Sequence, residues 1–216
     1  MGADAPKIAC LPNGPYYLLY DLTPQPVPFL QTADGGVPAN GRGVALCRCG
    51  GSANKPFCDG THGRIGFSDA KQDDRTPDRL DHYQGEAITI HDNRGLCAHA
   101  GHCTDSLPAV FRMAEAPWID PDGAPAEAVG RAVRGCPSGA LSYSRAGEAG
   151  GDTEREPMVT VTRNGPYAVT GGIELIGVEF GEGASREHYT LCRCGASRNK
   201  PFCDGSHWRI GFTGDD

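Results

Sequence analysis

The chain has 216 residues, a formal net charge of −7, 38% hydrophobic residues, and 31 glycines with 17 prolines. That length holds one or two ordinary domains, the glycine and proline content favours turns and short strands over long helices, and so thin an apolar share asks for a staple such as a metal. The negative balance with scattered Lys and Arg argues against a nucleic-acid surface. No run approaches a membrane-spanning helix, and Met1 to Cys10 lacks the apolar stretch of a signal peptide, so no membrane association and a soluble protein of the reducing cytoplasm are expected.

In chain order, Lys7 to Leu11 reads as a strand, Asn13-Gly14-Pro15-Tyr16 as a turn, and Tyr16 to Leu22 as a second strand. Thr23 to Asn40, rich in Pro and Gly, reads as a loop. Val44 to Cys49 returns as a strand. Cys10 is the only cysteine outside a motif; it aligns with Val161 of a later repeat and is expected as a buried apolar residue. Lys71 to Leu80 is charged and reads as a linker. Glu86 to His91 alternates as a strand, and Thr104 or Asp105 caps a short helix through Val110 and Phe111. Pro117-Trp118-Ile119 reads as a short strand. Ala126, Val129, Ala132 and Val133 share one face of a helix beginning near Pro125. Met158 to Thr162, Tyr167 to Thr170 and Glu174 to Phe180 are strands, with Asn164-Gly165-Pro166-Tyr167 repeating the first turn.

One pattern occurs twice without a gap. Cys47, Cys49, Cys58 and His62 stand as C-x-C-x8-C-x3-H, and Cys192, Cys194, Cys203 and His207 repeat it; each copy runs on to Arg-Ile-Gly-Phe. Cysteines two apart leave the same face of an extended segment, and Cys and His four apart share a face on a helical turn. Each copy therefore offers two ligand pairs, which suit two irons bridged by sulfide. A single zinc ion could also take three Cys and one His, although C-x-C is tighter than its common motifs. From Asn-Gly-Pro-Tyr to Cys-x-Cys is 34 residues in the first copy and 28 in the second, so the repeat is a whole domain.

The wording C-x-C-x2-Ser-x3-Pro-x-C-Asp-Gly-Ser/Thr-His resembles the CDGSH iron–sulfur domain family at every position in both copies. The resemblance implies a [2Fe-2S] cluster on each copy. Cys47 and Cys49 would hold one iron and Cys58 and His62 the other; in the second copy the pairs would be Cys192/Cys194 and Cys203/His207. It also implies a histidine ligand near solvent, hence clusters lost in mild acid. Single-motif members pair as homodimers, so two copies in one chain are expected to pair with each other in a monomer.

Between the copies, Cys97 and Cys103 stand as C-x5-C, and Cys136 is followed by Pro137. This segment resembles divergent single-cluster ferredoxins. It departs from ferredoxins at the middle ligand position, held by Ala100, which cannot bind iron. The three thiols imply a [3Fe-4S] cluster, the alternative being [4Fe-4S] completed by His99, His102 or solvent. His99 and His102 are expected to shape the cluster's surroundings. His82, His91 and His188 are expected at the surface, Lys55 and Lys200 either bonded near the cluster or solvated, Asp59 and Asp204 as helix caps, and Trp118 and Trp208 in packing.

The expected fold is α+β, with two small β-rich units paired pseudo-symmetrically around a ferredoxin-like centre: residues 1–70, a linker 71–80, residues 81–148, a linker 149–156, and residues 157–216. The expected function is one-electron transfer between soluble redox proteins, without enzyme activity. Cluster storage or delivery to apo-acceptor proteins is the alternative, and a structural zinc protein that binds partners is the third reading.

Overall fold

A computed structural model describes residues 6–19, 29–31 and 44–214. It is α+β, with three four-stranded sheets and short helices. The first sheet has the order β11-β1-β2-β4, from β1 (Lys7–Cys10), β2 (Tyr16–Leu19), β4 (Val44–Leu46) and β11 (Glu174–Ile176). The second has the order β12-β10-β9-β3, from β3 (Leu30–Gln31), β9 (Met158–Val161), β10 (Tyr167–Thr170) and β12 (Tyr189–Leu191). Each sheet borrows one strand from the other half of the chain. β11 runs parallel to β1 with Ile8 opposite Leu175, and β3 runs parallel to β9 with Leu30 opposite Val159. The expected pairing of the two repeats is therefore built by strand exchange. The alternating residues of each hairpin turn inward: Ile8, Tyr16 and Leu18 on one side, Val159, Val161, Tyr167 and Val169 on the other, all at most 4% exposed.

At the centre of that pairing the two turn tyrosines meet edge to face, ring centroids 5.9 Å apart. Their hydroxyls cross over. Tyr16 donates to the carbonyls of Cys192 (3.0 Å) and Pro201 (2.9 Å), and Tyr167 to those of Cys47 (2.8 Å) and Pro56 (3.1 Å). Each repeat thus braces the cysteine loop of the other. Tyr16→Phe is expected to lower stability by about 1–3 kcal/mol, because buried carbonyls lose their donor. Hydrogen exchange is expected to quicken around Cys192 and Pro201 and not around Cys47; quickening in the tyrosine's own repeat alone would contradict the crossed bracing.

The middle of the chain forms the third sheet, β5-β6-β7-β8, from β5 (Leu80–Gln84), β6 (Thr89–Asn93), β7 (Leu141–Arg145) and β8 (Glu148–Ala149). The helix α3 (Ala126–Arg134) covers it with Val129, Ala132 and Val133, as the apolar spacing predicted. Several expected elements differ. The first strand of this sheet begins at Leu80, inside the stretch read as a linker, and its partner is Thr89–Asn93 rather than Glu86 to His91. Helix α2 is His102–Ser106 and starts after Gly101, so neither Thr104 nor Asp105 caps it; Phe111 instead bridges to Ile119. Glu174 to Phe180 is a strand only to Ile176. The loop expected over Thr23 to Asn40 contains β3, which pairs with β9 of the second repeat; the rest of that loop, and residues 20–22 of the second strand, lie outside the described residues. Cys10 is half-buried rather than buried, and burial lifts its thiol pKa to about 11.

Candidate metal centres

The two outer sites form by the same local route. A strand ends at Leu46 or Leu191 and the chain bends, leaving both cysteines of C-x-C on one side, with Sγ atoms 3.8 Å apart for Cys47 and Cys49 and 3.9 Å for Cys192 and Cys194. A tetrahedral metal ion with bonds of about 2.3 Å to sulfur separates two thiolates by about 3.8 Å, so both pairs fit one ion. Cys203 Sγ stands 3.4 Å from His207 Nδ1, again a single-ion separation. That histidine lies in α4 (Ser206–Arg209), and His62 lies in the matching α1 (Thr61–Arg64). Asp59 accepts from the Thr61 N–H at 3.0 Å and the Ala53 N–H at 2.9 Å; Asp204 does the same with Ser206 and Arg198, both at 2.9 Å. The helix caps expected at both aspartates are Gly60 and Gly205 instead; each carboxylate, one residue further out, accepts the first helical N–H and ties the helix start to the ligand loop.

Backbone N–H groups point at sulfur: Gly51 at Cys49 and Gly60 at Cys58, each 3.4 Å, and Gly205 at Cys203, 3.5 Å. Such donors favour thiolate, whereas burial opposes it. Burial drives the Cys203 pKa far up, and Cys192 is pushed up by its hydrogen bond with Cys194 and by burial. A bound cation resolves that conflict by taking the electron pair that a proton would otherwise hold.

The arginine inside each C-Arg-C was not singled out by sequence. Arg48 and Arg193 are 3% and 1% exposed. Arg193 donates to the carbonyls of Thr162 (3.1 Å) and Gly214 (3.1 Å), and Arg48 to the Leu11 carbonyl (3.3 Å) while pairing with Asp69 (3.2 Å). Each guanidinium clamps its repeat's first turn to the segment after its histidine.

In the centre, Cys97 follows a short 3₁₀ turn, Cys103 sits on α2 and Cys136 follows the end of α3. Together with His99, Ala100 and Trp118 they line a cavity of about 190 Å³. Burial pushes the Cys97 thiol up and lifts Cys103 to about 11. Arg94 was also missed: it donates to Cys97 Sγ (3.5 Å) and to Asp92 (2.9 Å), and its guanidinium lies 4.0 Å from the Trp118 ring centroid. It puts a fixed positive charge beside the Cys97 sulfur. Trp118 packs as expected.

Family models match all three regions. One described as "Iron-binding zinc finger CDGSH type" covers residues 13–63 and again 164–208, and one described as "Divergent 4Fe-4S mono-cluster" covers 83–146. "Uncharacterized protein YjdI" of Escherichia coli strain K12, and its counterpart in strain O157:H7, are each 38% identical over 61 residues, 28% of this chain and 80% of the relative. The chain belongs to the CDGSH-type iron-binding family, with a divergent mono-cluster ferredoxin domain between its two copies. No solved structure matches it. It is an iron–sulfur protein, and the donor sets described above fit that chemistry.

The two CDGSH units differ in access. Cys58 and His62 are partly exposed, whereas Cys203 and His207 are 3% and 4% exposed. The expectation of a histidine ligand near solvent therefore fits only the first unit. His207 is covered because the ferredoxin domain packs on its side of the molecule: Asn199 Nδ2 donates to the Gly95 carbonyl at 2.8 Å, and the His99 ring lies against Gly205. Burial also holds the His207 pKa below the ordinary imidazole value. Lys200 is 5% exposed and donates to the Ser197 carbonyl at 2.6 Å, which settles it as bonded within the ligand loop. Three side-chain expectations fail. Trp208 is 65% exposed, standing on the outer side of α4. His188 is 3% exposed and packs with Asp152, Glu187 and Arg155, fastening the second linker to the second unit. His91 is half-buried, its Nδ1 2.7 Å from that of the exposed His82.

Proposed function

We propose that this protein carries single electrons between soluble redox proteins through three clusters. Cys47, Cys49, Cys58 and His62 hold one [2Fe-2S] cluster, Cys192, Cys194, Cys203 and His207 the second, and Cys97, Cys103 and Cys136 a [3Fe-4S] cluster. When bound, each cluster supplies a one-electron couple. The observation that carries this reading is the contact between ligand loops. Cys49 and Cys194 pair as an antiparallel bridge, joining the outer sites, and His99 beside Cys97 meets Gly205 beside Cys203, joining the second site to the central one. The chain's residues hold three redox sites in one packed series, which a storage protein does not need. The reading assigns no catalytic residue and no enzyme activity, and it places the protein in the cytoplasm.

Two observations favour other readings. The family description of the central domain names a 4Fe-4S cluster. Ala100 offers no ligand, and His99 and His102 both line the cavity of the three cysteines, leaving either ring or solvent to complete that alternative. The partial exposure of Cys58 and His62 favours cluster delivery from the first unit. Incubation with an apo-ferredoxin separates carrier from wire. An electron carrier is expected to load it no faster than free iron and sulfide do; faster loading establishes delivery. Zinc without sulfide in the purified protein would establish the structural reading instead.

A further inference from the structure

The internal repeat shows what one face of a CDGSH unit is used for. On the second unit that face is occupied. Asn199, 7% exposed, bonds the Gly95 carbonyl of the ferredoxin domain. The His99 ring fills the space over Gly205, where an added Cβ would lie 2.7 Å from Cδ2 and 3.1 Å from Cγ. On the first unit the corresponding face is open among the described residues. Asn54, Asp59 and Gly60 are exposed, and a Cβ on Gly60 would meet nothing within 4 Å.

The two faces have the same shape. Ser52 Oγ donates to the Phe57 carbonyl at 2.7 Å, as Ser197 Oγ does to that of Phe202 at 2.7 Å. Gly60 and Gly205 share φ values of 81° and 78°. The first unit differs at its ligand pair: Cys58 and His62 are partly exposed, whereas Cys203 and His207 are buried.

We propose that the open ligand face of the first CDGSH unit is the docking surface for a separate soluble ferredoxin-like iron–sulfur protein, seated as the chain's own ferredoxin domain is seated on the second unit. The occupant is fixed by three features of the occupied face. The partner presents a backbone carbonyl to Asn54, as Gly95 does to Asn199. It lays a flat ring or loop over Gly60, as His99 does over Gly205. It carries its own cluster ligands next to that ring, as Cys97 stands next to His99. A second copy of this chain does not meet these terms, because its ferredoxin loop is already engaged with Gly205. This inference rests on the electron-transfer reading and adds to it the entry port: electrons pass between the partner and the first unit, then across the Cys49–Cys194 bridge to the second unit and the central domain.

The test uses the full cluster-loaded chain and a soluble single-[4Fe-4S] ferredoxin as probe. Binding of the oxidised ferredoxin and the second-order rate at which the reduced ferredoxin bleaches the chain's visible absorbance are both measured. The variants are Asn54→Ala, which removes the donor, and Gly60→Asn, which keeps a residue tolerant of the left-handed backbone and fills the face. Glu148→Gln, on β8, is the control. Each face variant is expected to weaken binding and slow reduction by about tenfold, with cluster absorbance intact and the control unchanged. Unchanged binding and rate in both face variants overturn the port while leaving electron transfer standing. A wild-type chain that the reduced ferredoxin neither binds nor reduces, although dithionite reduces it, also overturns the port. A chain that dithionite itself cannot reduce overturns the electron-transfer reading.

Discussion

Gly50→Ala is expected to lower stability by about 3 kcal/mol or more and to separate the two cysteine loops. The residue has φ 75°, and a Cβ there would stand 2.8 Å from the Cys194 carbonyl carbon. Its counterpart Gly195 has φ 77° and would stand 2.7 Å from that of Cys49. Both obstacles are backbone atoms, so neither can swing aside as a flexible side chain would. The bridge between Cys49 and Cys194 must open, and with it goes the direct contact between the outer sites. Gly66→Ala separates this effect from simple backbone strain. Gly66 has φ 65° with nothing within 4 Å, so its cost is about 1 kcal/mol. Denaturant unfolding of the two variants reads the difference; equal losses would mean that the close approach of the two loops contributes nothing.

Acid is expected to strip the two outer sites in sequence, the first unit before the second. His62 meets solvent in part, so protons reach its ring, whereas the His207 ring is 4% exposed and its pKa is drawn down by burial. A lowered imidazole pKa means that protonation, and with it loss of the metal bond, is reached only at lower pH. A jump from pH 8 to pH 5 should give two phases of visible bleaching. His62→Cys is expected to slow the fast phase at least about tenfold, since an anionic thiolate holds iron against a competing proton more tightly than a neutral imidazole does, and His207→Cys to leave that phase unchanged. A single phase, or a fast phase abolished by His207→Cys, would contradict the asymmetry.

That asymmetry also marks the limit of what sequence spacing carries. The cysteine pairs were legible because strand and helix periodicities place residues two and four apart on one face, a purely local effect. Helix α3 was legible for the same reason. The burial of His207 was not, since it arises from Gly95 and His99, more than 100 residues away in the chain. The two motifs are alike in their Cys and His residues, and the docking of the central domain on the second makes them different. Leu30–Gln31 was hidden in the same way, being held by a strand from the other repeat, and Leu80 because the charged residues before it read as a linker. Arg48 and Arg193 were passed over because arginine is expected in solvent; here each finds enough backbone carbonyl and aromatic surface to remain buried. His188 shows the same bias, being kept inside by its neighbours Asp152 and Glu187.

Three iron–sulfur clusters in one chain are tested most directly by iron, sulfide and zinc analysis of protein purified without oxygen, with low-temperature EPR before and after dithionite. About seven irons and about eight sulfides per chain, a signal from the oxidised central cluster, and a [2Fe-2S] signal appearing on reduction are the expected results. Zinc in place of iron, with no sulfide and no signal in either state, would contradict the account and leave a metal-stapled binding protein.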